Sequence, residues 1–277
     1  LARLQRRDRQ FAIAHNFSTD AGNVSALRTA YPAFVVEQAG HNGPLLLLCE
    51  HASAHVPSIY DGLGLSDDER HRHIGWDIGA LALAQGLASA LASPLVYATQ
   101  SRLLMDLNRD PAASDAMPAC SDQLQIPGNV AVSNIERVRR QQWLYEPFHE
   151  AVDALRASRS GRGLATAVVS VHSFTPQMSG HVRPWHVGIL SDQDRRLADA
   201  LLDVLRSQPN LCVGDNQPYA PQQGVYHSVD RHGQKHGLLN VMIEVRNDLL
   251  GDDAGIRHWT QILSDAIRVA CSQLGMT

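Results

Sequence analysis

The stretch LLLLCEH at residues 45–51 decides the fold. Four consecutive leucines followed by Cys49 are typical of a fully buried strand. The run stops at Glu50 and His51, and His55 follows four residues later. Because an unpaired buried charge is costly, polar groups at such a point normally have partners or a chemical task. The stretch therefore predicts a buried strand that carries a functional group at its carboxyl end.

Similar apolar runs recur along the chain and alternate with segments of helical periodicity. Strands are predicted at residues 45–49, 95–98, 165–171, 186–190 and 240–245, and helices at residues 78–91, 135–156, 192–205 and 256–274. This alternation predicts an α/β protein with a mostly parallel or mixed sheet covered by helices on both faces. No linker divides the chain, so we expect a single domain over residues 31–277, preceded by an N-terminal tail over residues 1–30.

Composition excludes several classes of protein. The chain has 277 residues, is 44% hydrophobic and carries a net charge of −4, with its basic residues scattered. We therefore expect no nucleic-acid partner. No apolar run approaches the length that spans a bilayer, so no membrane association is expected. The four cysteines are far apart and form no CxxC pair, which favours reduced thiols in the cytoplasm over a disulfide framework or a structural zinc site.

Polar residues appear where three of the apolar runs stop. The run at 45–49 leads to Glu50 and His51, AVVSVHSF contains His172, and NVMIEVRND runs into Glu244 and Arg246. In open α/β sheets, ligands bind beyond the carboxyl ends of the strands. Catalytic zinc takes three protein ligands of the His and carboxylate type and keeps a position for water. The pattern predicts a metal site that includes the two histidines.

The third ligand has more than one candidate. Asp77, in HIGWDIGA, precedes the helix that follows the first polar strand end. It is either a ligand or simply the N-cap of that helix, because Asp is a favoured N-cap residue. Glu50 competes for the same role, but a neighbour of His51 on extended chain points the other way. We interpret Glu50 as a partner that orients a ligand histidine.

Basic and amide side chains beside these positions predict an anionic small substrate. SRLLMDLNRDP supplies Arg102, Asn108 and Arg109, and the planar fork of arginine suits a carboxylate. The alternatives are a surface ion pair with Asp106 or Asp110, and a structural pair of Glu244 with Arg246. Two irregular stretches, residues 109–133 and 214–237, are long enough to predict functional or mobile loops.

Taken in order along the chain, several motifs resemble the N-formylglutamate amidohydrolase family over roughly residues 43–250. They are CEHAS, HIGWDIGA, SRLLMDLNRDP, IPGN, VHSFTP, GDNQPYAP and VMIEVRNDL. The resemblance implies a three-layer α/β/α fold of the zinc-exopeptidase (phosphorylase/hydrolase-like) kind. It also implies zinc or another divalent metal, and hydrolysis of N-formyl-L-glutamate to formate and L-glutamate in histidine breakdown.

A wider likeness to zinc-dependent N-acetylmuramoyl-alanine amidases implies roles for individual residues. Those enzymes show a His after the first strand, an acid opening the next helix, a His after a later strand and a Glu near the end of a late strand. The matching residues here are His51, Asp77, His172 and Glu244. The likeness implies that the first three hold the metal and that Glu244 transfers protons. The predicted carboxylate-binding residues are Arg102, Asn108, Arg109 and Arg246.

Two other functions stay open on the sequence alone. One is a related zinc amidase acting on another N-acyl amino acid or on a peptidoglycan stem peptide, because specificity would lie in the arginines and loops. The other is a metal-free ligand-binding protein. The expected partner is a small anionic N-acyl amino acid, and the sequence leaves open whether the chain forms a homo-oligomer.

Overall fold

The computed structural model of the protein describes residues 21–276. Residues 1–20 of the predicted N-terminal tail lie outside the described part, whereas residues Ala21–Ala30 form a helix whose Leu27 is buried. Within the described residues, no helix combines the length and the apolar character needed to cross a membrane.

Strands and helices alternate through most of the chain. The strands are β1 (Phe34–Glu37), β2 (Leu45–Cys49), β3 (Leu95–Ala98), β4 (Cys120–Ser121), β5 (Leu124–Gln125), β6 (Ala167–Phe174), β7 (Gln177–Met178), β8 (His181–Val182), β9 (Val187–Leu190), β10 (Val213–Asp215) and β11 (Leu239–Arg246). The helices are α1 (Ala21–Ala30), α2 (Asp67–Arg70), α3 (Ala80–Ala90), α4 (Asn134–Arg140), α5 (Glu146–Gly161), α6 (Arg196–Arg206), α7 (His227–His232) and α8 (Asp253–Gln273).

The main sheet has seven strands in the order β1-β3-β2-β6-β11-β9-β10. Strands β3, β2, β6 and β11 run parallel to one another, β9 is antiparallel to β11, and β1 is antiparallel to β3. The predicted α/β architecture with a mostly parallel, mixed sheet is confirmed. Two strands of this sheet that the sequence did not reveal, β1 and β10, are short edge strands with too few residues for a clear periodicity.

The leucine run is explained by the two cores that flank the sheet. Successive side chains of a strand point to opposite faces. Leu45 and Leu47 therefore pack in one core with helices α3, α6 and α8, while Leu46 and Leu48 pack in the other core with α1 and α5. All four leucines are fully buried, and each contributes about 1.5–3 kcal/mol of hydrophobic stabilisation.

The helix predicted over residues 135–156 is longer and interrupted. Helices α4 and α5 are joined by a π-helical turn at Gln141–Tyr145 and together extend from residue 134 to residue 161. Pro147 lies two residues after the end of this turn. Because proline has no N–H to donate, the regular ladder of hydrogen bonds is broken at this point, and the wider turn accommodates the break.

The topology places three adjacent strands, β2, β6 and β11, at the centre of the sheet. His51 follows the end of β2, and His172 lies near the end of β6. Glu244, on β11, is paired in register with His172. The residues predicted for chemistry thus lie at the same edge of the sheet.

Candidate active site

The three predicted metal ligands converge on one point. The ligand atoms of His51, Asp77 and His172 lie within 4.8 Å of one another, and all three residues are buried. His172 Nδ1 is 2.7 Å from Asp77 Oδ2, and His51 Nδ1 is 3.3 Å from the same oxygen. The backbone supports this arrangement, because the Asp77 N–H donates to the carbonyl oxygen of His51 at 2.9 Å.

Asp77 is not the cap of the following helix. Helix α3 starts at Ala80 and is preceded by Gly79, which has a φ of +81° and makes no side-chain cap. A Cβ atom at position 79 would also lie 2.5 Å from Leu250 Cβ, so glycine is required there. The carboxylate of Asp77 instead turns towards the two histidines and also accepts from Arg102 Nη1 at 3.3 Å. The N-cap interpretation is therefore wrong.

The Nε2 atom of each histidine ring is hydrogen-bonded to a carboxylate or hydroxyl group. His51 Nε2 lies 2.8 Å from Asp106 Oδ1, and His172 Nε2 lies 2.7 Å from Ser170 Oγ. Ser170 donates its single hydroxyl proton to Glu50 Oε2 at 2.7 Å, so it accepts from the Nε2–H of His172. Asp106 likewise accepts from the Nε2–H of His51. The Nδ1 atom of each ring therefore faces Asp77, while the Nε2–H donates to a protein group. Metal-ligating histidines likewise donate their other ring N–H.

This donor set fits a divalent cation. Two imidazole nitrogens and a carboxylate oxygen repel one another unless a cation or a proton lies between them, and a set of two histidines and one aspartate suits zinc. Burial lowers the pKa of His172, but hydrogen bonds to Asp77 and Glu50 outweigh it and hold this pKa well above its ordinary value. The position thus attracts positive charge, and a metal ion would compete there with a proton.

Glu50 lies behind His172 rather than in the ligand set. It is fully buried, and its Oε2 is 3.3 Å from His172 Nε2. Burial alone raises its pKa, but the hydrogen bonds and charge of His172 and the hydroxyl of Ser170 lower the pKa to about 2. Glu50 is therefore an anion that orients a histidine, in the position that we expected for a partner of a ligand.

Glu244 is a buried carboxyl group without a fixed partner. It is only 4% exposed, and its Oε2 has no hydrogen-bond partner among the described residues. Burial raises the pKa of Glu244 to about 7. The charge of His172 opposes this rise, and the charge of Asp77 adds to it. The alternative pair with Arg246 is wrong, because Arg246 Nε donates to Asp248 Oδ1 at 2.8 Å. Glu244 is thus free to exchange a proton near neutral pH.

A cavity of about 210 Å³ opens over these groups. His51, Asp77, His172 and Glu244 line its polar floor. Its walls include His73, Ile74, Ser121, Phe174, Thr175, Met178, Tyr219, Val225 and Met242. Ser121 comes from the irregular stretch 109–133, and Tyr219 and Val225 come from the stretch 214–237, so both predicted loops contribute to the cavity.

Comparison with known proteins identifies the family of the chain. The model of the N-formylglutamate amidohydrolase family matches residues 43–250. The chain belongs to this family. A gene product from Agrobacterium tumefaciens is 43% identical and superposes with a TM-score of 0.86, covering 88% of this chain and 96% of that one. No curated protein matches the chain significantly.

A second solved structure shows the same fold at lower identity. It is the N-formylglutamate amidohydrolase from Ralstonia eutropha JMP134, which is 21% identical with a TM-score of 0.60 and covers 88% of this chain and 99% of its own. The family and the fold support an amidohydrolase. The cavity of this chain contains the buried histidines and acids described above.

Three of the four predicted carboxylate-binding residues of the amidohydrolase line the cavity, and the two arginines among them already have acidic partners. Arg102 Nη2 donates to Asp106 Oδ2 at 2.8 Å, so the alternative pair with Asp106 forms, although it is partly buried rather than on the surface. Arg109 pairs with Asp115 at 3.2 Å and donates to the Gln223 carbonyl oxygen at 2.7 Å. Their role in binding a substrate stays a prediction.

Asn108 and Arg246, the other two, are held by the protein in different places. The amide of Asn108 lines the cavity, donates to the Val225 carbonyl oxygen and accepts from the Ser228 N–H at 2.9 Å. Arg246 is paired with Asp248 and is not among the residues that line the cavity. A role of Arg246 in substrate binding also stays a prediction.

Sequence reasoning missed two of the residues that support the amidohydrolase site. Asp106 was considered only as the ion-pair partner of an arginine, yet it also holds His51. Ser170 was not considered, although it precedes His172 by two residues and therefore lies on the same face of β6. A polar residue two positions before a candidate ligand, in an otherwise apolar strand, is the signal that could have revealed it.

Asp106→Asn tests the support of His51 by its carboxylate. We expect the affinity for Zn²⁺ to fall about 10- to 100-fold, because the variant removes the charged acceptor that fixes the orientation of the His51 ring. Competition with a chromophoric chelator measures the affinity, and the exposed Asp265→Asn on α8 is the control. Unchanged zinc affinity in Asp106→Asn would contradict a supporting role.

Proposed function

We propose that this amidohydrolase cleaves the N-formyl amide of N-formyl-L-glutamate, releasing formate and L-glutamate, as a step of histidine breakdown in the cytoplasm. Membership of the family and the name of the Ralstonia protein support the substrate. The single observation that carries the proposal is the buried Glu244 carboxyl, with one oxygen free of partners among the described residues, beside the convergent His51, Asp77 and His172.

His51, Asp77 and His172 would hold a divalent metal, with zinc as the best match to the donor set. The chemistry that such an ion supplies is Lewis-acid activation of water and of an amide carbonyl. Asp106 and Ser170 keep the Nε2–H of each histidine occupied, so that both Nδ1 atoms stay available. Their fixed orientation means that little reorganisation is needed when the site is loaded.

Glu244 would act as the general base and then as the general acid. It accepts a proton from the attacking water as the new C–O bond forms at the formyl carbon. It then delivers that proton to the amide nitrogen as the C–N bond breaks, so that glutamate leaves with a neutral amine. A pKa of about 7 suits both transfers, because proton exchange is most effective near the working pH.

A panel of four substrates tests this proposal: N-formyl-L-glutamate, N-formyl-L-glutamine, N-formyl-L-leucine and N-acetyl-L-glutamate. With the zinc-loaded protein, we expect the first to have the highest kcat/KM. The kcat/KM of the glutamine derivative should be lower by about 100-fold, because a cationic side chain of the site then lacks its carboxylate. Release of formate or acetate and of the free amino acid measures turnover.

Two results of the panel would contradict the proposal. Preference for N-acetyl-L-glutamate would indicate a related amidase with another N-acyl substrate. Absence of any hydrolysis, with zinc bound at one ion per chain, would favour a binding protein over an enzyme.

A further inference from the structure

Arg183 differs from the other arginines near the site in having no acidic partner. Arg102, Arg109 and Arg246 each form an ion pair with an aspartate. Arg183 forms none with any carboxylate of residues 21–276. Its guanidinium hydrogen-bonds only to neutral groups, at 3.1 Å to Tyr219 Oη, 3.4 Å to Thr175 Oγ1 and 2.8 Å to Met178 Sδ. Its charge is therefore not neutralised by the described part of the chain.

The three partners of Arg183 all line the cavity above the candidate metal site. The guanidinium carbon also lies 4.8 Å from the ring centroid of Tyr219 and 5.9 Å from that of Phe174. Aromatic faces attract a cation but leave its hydrogen-bond donors available. Arg183 is half-buried and lies directly behind these lining residues without being one of them, and the groups that hold it do not compete with an incoming anion for charge.

A short hairpin fixes the position of Arg183. Strands β7 and β8 are joined by Ser179 and Gly180, with φ values of +50° and +81°. Positive φ at both central residues is the signature of a tight two-residue hairpin turn. The Arg183 N–H then donates to the Pro176 carbonyl oxygen at 2.8 Å and closes the base of the hairpin. This support limits the entropy that the side chain loses on binding a ligand.

The charge of Arg183 acts inside the cavity. Burial and the Glu244 carboxylate raise the pKa of Tyr219, and Arg183 opposes this rise. At His73, which also lines the cavity, burial lowers the pKa, Asp122 opposes this decrease, and the charges of Arg72, Arg102 and Arg183 add to it. Arg183 therefore contributes positive potential to the space between the hairpin and Glu244.

We propose that Arg183 binds one of the two carboxylates of the N-acyl amino acid substrate and thereby determines specificity. This inference rests on the proposed function, because it names the group that recognises the substrate of the same site. A guanidinium fork matches a carboxylate with two parallel hydrogen bonds. Arg183 can form these hydrogen bonds without losing an ion pair. Arg102, by contrast, already pairs with two buried aspartates, Asp77 and Asp106.

Arg183→Met tests the proposal with three substrates that differ in which carboxylate, if any, is replaced by a neutral amide: N-formyl-L-glutamate, its γ-amide and its α-amide. We expect the variant to lower kcat/KM for N-formyl-L-glutamate about 10- to 100-fold. The mono-amide that keeps the carboxylate bound by Arg183 should show the same decrease in kcat/KM. The other, which lacks the carboxylate that Arg183 binds, should be cleaved equally by wild type and variant, because enzyme and substrate then lack the same interaction.

Arg183→Lys separates charge from shape and should recover only part of the loss, since a lysine cannot form the paired hydrogen bonds. The exposed Arg268→Met on α8 is the matched control and should behave as wild type. An equal loss for all three substrates, or no loss for any, would overturn the assignment of a carboxylate to Arg183.

Binding measurements keep this inference separate from the proposed function. Calorimetry with Glu244→Gln and the double variant Glu244→Gln/Arg183→Met measures the affinity for N-formyl-L-glutamate without turnover. A 10- to 100-fold weaker affinity in the double variant supports the role of Arg183, even if the wild type cleaves another N-acyl amino acid faster. Equal affinity of the two proteins overturns this inference alone, whereas no binding by either protein overturns it together with the proposed substrate.

Discussion

Glu244→Gln is expected to lower kcat by at least about 100-fold while the zinc content stays at the wild-type level. The side chain lies on β11 in register with His172, and its Oε2 has no hydrogen-bond partner among residues 21–276. Glutamine keeps the shape but cannot accept a proton. The loss should therefore appear in kcat rather than in the fold or in the bound metal.

Steady-state release of formate and metal analysis of the same preparation measure the two quantities together. Glu150→Gln, an exposed change on α5, is the control for removing one carboxylate from the chain. Turnover within a few-fold of wild type, with zinc bound, would return Glu244 to a purely structural role. Loss of both zinc and activity would instead make it a ligand.

His51→Ala and His172→Ala are expected to abolish stoichiometric zinc binding and, with it, hydrolysis. Each variant removes one of three ligand atoms that lie within 4.8 Å of one another. The remaining pair of ligands resembles an incomplete site, which binds zinc weakly. Both residues lie at the end of a strand rather than in the apolar cores, so we expect the fold to persist.

Metal analysis after dialysis, together with circular dichroism, tests this expectation. His258→Ala, on the exposed face of α8, is the control and should retain wild-type zinc content and activity. One zinc ion per chain in folded His51→Ala and His172→Ala would contradict the ligand assignment.

The central strands were predictable because a fully buried strand has a recognisable apolar sequence. Residues 45–49 and 95–98 are strands with the predicted bounds, since a strand covered on both faces needs an unbroken apolar run. The edge strands β1 and β10 lack that signal because they are short and only partly buried. The convergence of His51, Asp77 and His172 was predictable from strand ends and from the motifs, because parallel strands end at one edge of the sheet.

The partners of the arginines were not predictable in the same way, because an ion pair depends on how loops pack. Arg109 pairs with Asp115, and Arg246 with Asp248, although both arginines lie in the motifs that suggested substrate binding. Arg183 carried a signal that was not used. No acidic residue occurs between Asp153 and Asp192, so its stretch of chain offers no local counter-charge.

The most direct test of the proposed mechanism is to measure formate release from N-formyl-L-glutamate as zinc is titrated into chelator-treated wild-type protein. We predict no detectable hydrolysis by the metal-free protein. The rate of formate release should then rise linearly with added zinc and stop rising at one ion per chain. Full hydrolysis by metal-free protein, or full zinc occupancy without any release of formate, would contradict it.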